Sequence, residues 1–215
     1  MNGRRGRFIT IEGGEGAGKS TQVGLLMASF AKAGIAARAT REPGGSVNAE
    51  AIRRLLLEGE GDRWDAAGEA LLLYAARRDH VRNVIEPCLA QGEWVICDRF
   101  ADSTLVYQGY GRGLPLDALR ALHRFALGDF APDLTLILDL PVEEGLRRAA
   151  NRAGDPDRFE RLDIAFHQRL RHGFQTTAAA EPDRCVVIAA LEQADAVHKA
   201  ILSAIETRLG VRVPE

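Results

Sequence analysis

The run Gly13-Gly14-Glu15-Gly16-Ala17-Gly18-Lys19-Ser20 has the spacing G-x-x-x-x-G-K-[ST] of a loop that wraps phosphate groups. That chemistry needs small residues whose backbone N–H groups can turn in on an anion, a lysine able to reach the β/γ oxygens, and a hydroxyl to ligate Mg²⁺. Residues Gly13, Gly14, Glu15, Gly16, Ala17, Gly18, Lys19, Ser20 and Thr21 are therefore the expected binding set for a nucleoside polyphosphate, with Lys19 catalytic and Ser20 a metal ligand. A glycine-rich turn between any strand and any helix is the ordinary alternative, and the Lys-Ser pair at the required offset argues against it.

Asp98 is the second candidate metal ligand. It ends the apolar run Trp94-Val95-Ile96-Cys97, and a strand running into a carboxylate is how such folds bring an acid near Mg²⁺, directly or through water. A strand-end cap or a surface ion pair is the plainer reading of Asp98-Arg99. Arg99 would face the transferred group, where its planar donors can clamp phosphate. A further basic cluster, Arg147, Arg148, Arg152, Arg158 and Arg161, surrounds Gly154 and Pro156. Glycine and proline inside a helical pattern imply a break that can move, so the stretch 147–161 reads as a lid, against the alternative of a charged helix face.

These groups need a scaffold. Phe8-Ile9-Thr10-Ile11 reads as a strand before the loop, and Leu25, Leu26, Met27 and Phe30 recur at helical spacing after it, which puts the loop at a helix N-terminus. Further strands are expected from Ile35 to Thr40, Trp94 to Asp98, Leu134 to Asp139 and Cys185 to Ile188. Helices are expected around Ile52–Leu56, from Ala66 to Leu89, to about Leu127, from near Pro141, and from Leu191 to Leu209, with a loop from Asp98 to Leu114. Strand and helix in alternation predict a parallel sheet flanked by helices, with ligands at the carboxyl ends of the strands, where Glu12, Arg41, Asp98 and Asp139 fall.

The chain has 215 residues, enough for one well-buried α/β domain, with 28 Lys+Arg against 30 Asp+Glu. The net charge of −2 gives no reason to expect nucleic acid or a membrane as partner. Cys88, Cys97 and Cys185 fit neither a disulfide framework nor a zinc site, and the apolar stretch after Phe8 ends at Glu12, too soon for a signal peptide. A cytoplasmic location is expected. His80, His123, His167, His172 and His198 show no ligand spacing and are expected to be structural or exposed.

Several further strings stand in order: Thr40-Arg41-Glu42-Pro43-Gly44-Gly45, Tyr74-Ala75-Ala76-Arg77, Asp98-Arg99-Phe100, Ser103-Thr104, Tyr107-Gln108-Gly109 and Gly111-Arg112-Gly113. With the phosphate loop they make nearly the whole chain resemble the thymidylate kinases, and the arginine-free loop with Arg152 in the lid resembles the bacterial arrangement. The resemblance implies the five-stranded nucleoside monophosphate kinase fold and transfer of the γ-phosphoryl of ATP to dTMP, with Mg²⁺, in a homodimer. It implies that Arg41 and Arg99 hold the dTMP phosphate, that Arg77 and Thr104 read the base with Gln108 assisting, and that Tyr107 lies under the sugar where a 2′-OH would clash. Glu15 would point at the 3′-OH, or else be a solvated loop acid, and Arg152 would supply lid charge. Two departures stand out: Leu73 occupies the place of a phenylalanine that stacks on thymine, and Ile188-Ala189-Ala190 lacks an acid expected beside the adenine.

Two other functions share parts of this pattern. A deoxynucleoside kinase would need a base, Asp98 or Glu42, to deprotonate a neutral hydroxyl. A nucleotide-controlled switch protein would have no use for the acceptor-side strings.

Overall fold

Every residue from Phe8 to Gly13 is buried, as a strand covered on both faces must be. The structure is a computed structural model that describes residues 5–58, 63–151 and 162–214. Five parallel strands, β1 (Phe8–Gly13), β2 (Ala37–Arg41), β3 (Trp94–Asp98), β4 (Leu134–Asp139) and β5 (Cys185–Ala189), lie in the order β2-β3-β1-β4-β5. The helices between and after them are α1 (Lys19–Lys32), α2 (Val47–Leu57), α3 (Ala66–His80), α4 (Glu86–Ala90), α5 (Ala101–Thr104), α6 (Leu116–Leu127), α7 (Val142–Ala150), α8 (Ile164–Ala180) and α9 (Ala194–Leu209).

Alternation along β1 sends Ile9 and Ile11 to one face and Phe8 to the other. Ile9 and Ile11 join Leu26 and Phe30 of α1 and Ile201 and Ile205 of α9. Phe8 packs with Val95, Cys97, Val81, Ile85 and Leu89, and its ring meets Phe100 edge-on at 4.9 Å. Each fully buried aliphatic side chain contributes about 1.5–3 kcal/mol, so truncating Leu26 to alanine would cost about 2–5 kcal/mol once the cavity is included. Because β1 sits centrally, with β3 on one side and β4 on the other, Asp98 pairs in register with Ile11 on β1 and with Arg41 on β2. The phosphate loop, Asp98 and Arg41 thus share one sheet edge.

Five details differ from the sequence expectation. The segment after Asp98 is not a loop to Leu114 but α5 followed by a π-helical turn, Leu105–Gly111. Its glycines serve packing: a Cβ on Gly111 would lie 2.6 Å from the Phe166 ring of α8. Helix α8 was not anticipated, although Asp163 caps it by accepting from the Phe166 N–H, and Phe166, Leu170 and Phe174 follow at intervals of four. The helical run from Ala66 widens into a π-helical turn at Val81–Ile85 before α4, next to Pro87, which has no N–H to close an α-helical bond. Finally, β2 begins at Ala37, because the Ile35 N–H bonds back to Phe30 and Gly34, at φ 67°, closes α1, and the last helix begins at Ala194.

Among the described residues no helix is long and apolar enough to cross a membrane, and all three cysteines are free and buried.

Candidate active site

The phosphate loop leaves β1 at Gly13 and enters α1 at Lys19, with Gly18 at φ 90° as the helix N-cap. Lys19 is 8% exposed, and its Nζ donates to the carbonyl oxygens of Gly13 at 3.2 Å and Gly14 at 2.7 Å. Burial, with Arg99 nearby, pulls its pKa down to about 8. A polyphosphate would offer this buried ammonium anionic oxygens in place of the loop carbonyls. The outer side of the loop rests on α7 with no side chain between them: a Cβ on Gly16 would lie 2.0 Å from the Gly145 carbonyl oxygen, and one on Gly145 would lie 2.4 Å from that of Glu15.

Ser20 Oγ donates to Asp98 Oδ2 at 2.7 Å, so the two expected metal ligands adjoin. Arg99 follows at φ 69°, in the left-handed region that a side chain rarely adopts. In a continuing strand Asp98 and Arg99 would point to opposite faces; the left-handed turn lets both enter the site. Arg99 Nη2 donates to Glu15 Oε1 at 2.8 Å, and Nη1 reaches the Gly13 carbonyl at 3.0 Å and Ser103 Oγ at 3.3 Å. The Tyr107 hydroxyl donates to the same Glu15 oxygen at 2.6 Å, and the Arg99 guanidinium lies 5.0 Å from the Tyr107 ring centroid. Burial alone would raise the Glu15 pKa, but Arg99, Lys19 and the Tyr107 hydroxyl together hold it down to about 2. Glu15 is therefore not a solvated loop acid.

Behind this cluster, Glu12 accepts from the Phe100 N–H at 2.7 Å and from Ser103 Oγ at 2.6 Å. Complete burial, reinforced by Asp102, raises its pKa to about 7. Glu12 fixes the turn that carries Arg99.

A cavity of about 940 Å³ joins these groups to the acceptor-side residues. Its lining includes residues 15–22 of the loop and α1, Arg41, Leu73, Arg77, Asp98, Arg99, Thr104, Tyr107 and Gln108. Arg77 is fully buried, with Nη2 donating to Thr104 Oγ1 at 3.0 Å, and its Nη1 has no protein partner among the described residues. Gln108 Nε2 donates to Glu69 Oε2 at 2.9 Å, leaving Oε1 buried and unpartnered among the described residues. An unfilled donor and an unfilled acceptor thus line one cavity. Leu73 faces it as well, whereas Tyr74 does not: the Tyr74 ring covers the Arg77 guanidinium at 4.6 Å and its hydroxyl meets His123. Arg41 stands at the rim, half-exposed, pairing with Glu50 at 3.2 Å.

At the opposite end the wall is the segment from Ala190 to Ala194. Arg148 clamps it, donating to the Ala190 and Leu191 carbonyl oxygens at 3.1 and 2.8 Å, and an acid is present there after all, Glu192. Arg147 and Arg148 belong to α7 and both pair with Glu144, so the described part of the expected lid is the end of a helix. Arg152, Arg158 and Arg161 lie outside the described residues. Asp139 takes no part in the main cavity; Arg171 holds both its oxygens. Sequence reasoning missed Glu69, which has no exposure at all, and Arg53, whose Nη1 donates to the Pro43 carbonyl at 2.6 Å. An acid on the buried face of a helix was the one available signal for Glu69.

A family model for thymidylate kinase matches residues 11–201. A thymidylate kinase from Bradyrhizobium sp. (strain ORS 278) is 55% identical over 207 residues, covering 95% of this chain and 92% of that protein. One from Caulobacter vibrioides is 55% identical, covering 96% and 99%. The crystal structure of thymidylate kinase from Ehrlichia chaffeensis superposes with a TM-score of 0.75 at 34% identity, covering 94% of this chain and 99% of that one. The phosphate loop with its adjoining carboxylate, the acceptor cavity and these likenesses agree: the chain belongs to the thymidylate kinase family.

Proposed function

We propose that the protein transfers the γ-phosphoryl group of ATP to dTMP, giving dTDP and ADP, as a step toward dTTP. The observation that carries this reading is the pairing of a phosphate-loop lysine with an acceptor cavity whose base end presents the unfilled Arg77 Nη1 donor and Gln108 Oε1 acceptor. A pyrimidine edge with a carbonyl beside an N–H, as in thymine, answers both.

In the reaction the bond from the γ-phosphorus to the β-bridging oxygen breaks and a bond to an oxygen of the dTMP phosphate forms. That phosphate has a second pKa of about 6, so the attacking oxygen is anionic near neutral pH and needs no general base. Glu42 could not act as one: His80 engages Oε1 and Arg77 engages Oε2. The protein supplies positioning and charge. Lys19 exchanges its loop carbonyls for phosphate oxygens. Arg99 holds the acceptor phosphate together with Arg41, which must leave Glu50 to do so, and Arg152 contributes charge at the transferred group. Glu15, fixed by Arg99 and Tyr107, offers an acceptor to the sugar 3′-OH. Ser20 Oγ and Asp98 Oδ2 are hard oxygen donors side by side, a set that suits Mg²⁺, which keeps most of its waters. When bound, Mg²⁺ neutralises charge on the β- and γ-phosphate oxygens.

The protein is assigned to the cytoplasm, in keeping with three free cysteines. A homodimer is part of the same reading; Leu71 of α3 and Phe125 of α6 are exposed apolar side chains that an interface would cover.

The decisive experiment measures ADP release with ATP, Mg²⁺ and a panel of nucleosides and monophosphates. Turnover of dTMP and not of thymidine is expected; turnover of thymidine alone would make the protein a deoxynucleoside kinase.

A further inference from the structure

Behind Arg77 runs an unbroken line of polar contacts. Thr40 Oγ1 lies 2.7 Å from His80 Nε2, His80 Nδ1 lies 3.0 Å from Glu42 Oε1, and Arg77 Nε donates to Glu42 Oε2 at 2.6 Å. His80 and Arg77 are 0% and 1% exposed and Glu42 is 5% exposed. The line ties the end of β2 to α3 and, through Arg77 Nη2, to the Phe100 carbonyl at 3.1 Å and Thr104 Oγ1 at 3.0 Å.

A guanidinium has five N–H donors in a rigid plane. Here Nε–H goes to Glu42 and the two Nη2 hydrogens go to Phe100 and Thr104, so three donors are used inside the protein. The two that remain are both on Nη1, the buried atom with no protein partner among the described residues. Because the fork is planar, the contacts on one side set where Nη1 points on the other. Glu42 can hold Nε only as firmly as it is held itself, and His80 holds it. With Nδ1–H donating to the carboxylate, Nε2 accepts from the Thr40 hydroxyl, which fixes the tautomer and the ring. The turn after β2 covers this contact: a Cβ on Gly45 would lie 2.3 Å from His80 Nε2 and 2.5 Å from Thr40 Oγ1. Burying a charged pair and a histidine is costly unless each group is satisfied, and the arrangement satisfies every polar side-chain atom of Glu42, His80 and Arg77 except Nη1 of Arg77, a residue that lines the cavity.

We propose that His80 is a positioning residue for substrate recognition: acting through Glu42, it aims the free Nη1 of Arg77 at a carbonyl of the acceptor base. The inference rests on the reading of the cavity as the dTMP site. Arg77 touches the ligand; His80 does not.

The test is a double-mutant cycle on the full-length enzyme, with KM for dTMP, KM for ATP, kcat and melting temperature measured for the unmodified enzyme, Arg77→Ala, His80→Ala, the double variant and His80→Asn. His80→Ala is expected to raise the KM for dTMP about tenfold while leaving kcat and the KM for ATP within about twofold. In the Arg77→Ala background it should add less than about twofold, since the two residues act as one unit. His80→Asn, whose amide nitrogen can take the place of Nδ1, should recover to within about threefold of the unmodified KM. An unchanged KM in His80→Ala, the same rise in both backgrounds, or a His80→Asn no better than the alanine variant would each overturn the positioning role. If His80→Ala does not fold, Glu42→Gln enters the same cycle with the same expectations, because it keeps the shape and removes the charge. Absence of dTMP-dependent ADP release by the unmodified enzyme would overturn the functional reading, and the inference with it. A raised KM in Arg77→Ala alone would leave that reading standing and sink only the role of His80.

Discussion

The Tyr107 hydroxyl donates to Glu15 Oε1 at 2.6 Å, on the oxygen that also receives Arg99 Nη2. The ring and the hydroxyl therefore have separate jobs. A hydrogen bond to a charged group is worth about 1.5–3 kcal/mol, so Tyr107→Phe should loosen Glu15 and weaken dTMP binding roughly tenfold. The ring itself, packed against Phe166 at 6.2 Å, would still fill the space of a 2′-OH. Steady-state kinetics with dTMP, dUMP and UMP should thus show Tyr107→Phe preferring dUMP to UMP, as the unmodified enzyme does, and Tyr107→Ala losing that preference. Equal turnover of UMP and dUMP by the unmodified enzyme would remove Tyr107 from the sugar site.

Lys19→Ala and Arg99→Ala should each lower kcat/KM by about 10³-fold or more if, as proposed, both groups neutralise charge that spreads over the transferring phosphoryl. Arg99→Lys should not rescue. A single ammonium cannot reproduce the fork that spans Glu15, the Gly13 carbonyl and Ser103. A lysine variant within about tenfold of the unmodified rate would show that only charge matters there.

Leu73 lines the cavity while Tyr74 is turned away over Arg77, so of the two it is residue 73 that borders the proposed base site. Aromatic pairing adds about 0.5–1.5 kcal/mol beyond area, and Leu73→Phe should tighten dTMP by up to about tenfold with little effect on ATP or kcat. Leu73→Ala should weaken dTMP binding. Unchanged binding with a lower melting temperature in Leu73→Ala would make it a core residue only.

Glu12 makes stability depend on pH. Burial, then Asp102, raise its folded pKa from an ordinary 4.5 to about 7, so the folded state keeps a proton that the unfolded state gives up. The stability this group contributes is complete below about 4.5 and is lost as pH rises through about 7. At about 1.4 kcal/mol per pKa unit the loss is about 3 kcal/mol at most. Denaturation midpoints between pH 5 and 8 should therefore fall more for the unmodified protein than for Glu12→Gln. Parallel curves would place the titration elsewhere.

The parts legible in the sequence were those fixed by local rules. The phosphate loop is a backbone shape with a short list of permitted residues, and the strands β1, β3, β4 and β5 are apolar runs. The π-helical segment carrying Tyr107 and Gln108 was hidden because Gly109 and Gly111 have turn-forming propensity, and only packing reveals their use: Gly109 lies against Leu116 and Leu119 of α6, and Gly111 against Phe166 of α8, some 55 residues later. Buried ion pairs were invisible for the same reason. Glu42 and Arg77 are 35 residues apart, and nothing in either neighbourhood announces the other. The left-handed turn at Arg99 could not be read either, since it is imposed by Ile11 accepting the Arg99 N–H and by Glu12 gripping the Phe100 N–H. The resemblance named residues that line the cavity, but it did not show that Glu15 is shared between Arg99 and Tyr107.

The seam between Gly16 and Gly145 is main chain against main chain, so neither surface has a rotamer to yield. Any shift of the loop would require α7 to follow or the seam to open. The loop and α7 are in that sense one rigid unit, so a displacement of either is a displacement of both. A single methyl group at either glycine would act as a wedge, because a Cβ there would meet main chain at 2.0 or 2.4 Å and force the loop and α7 apart.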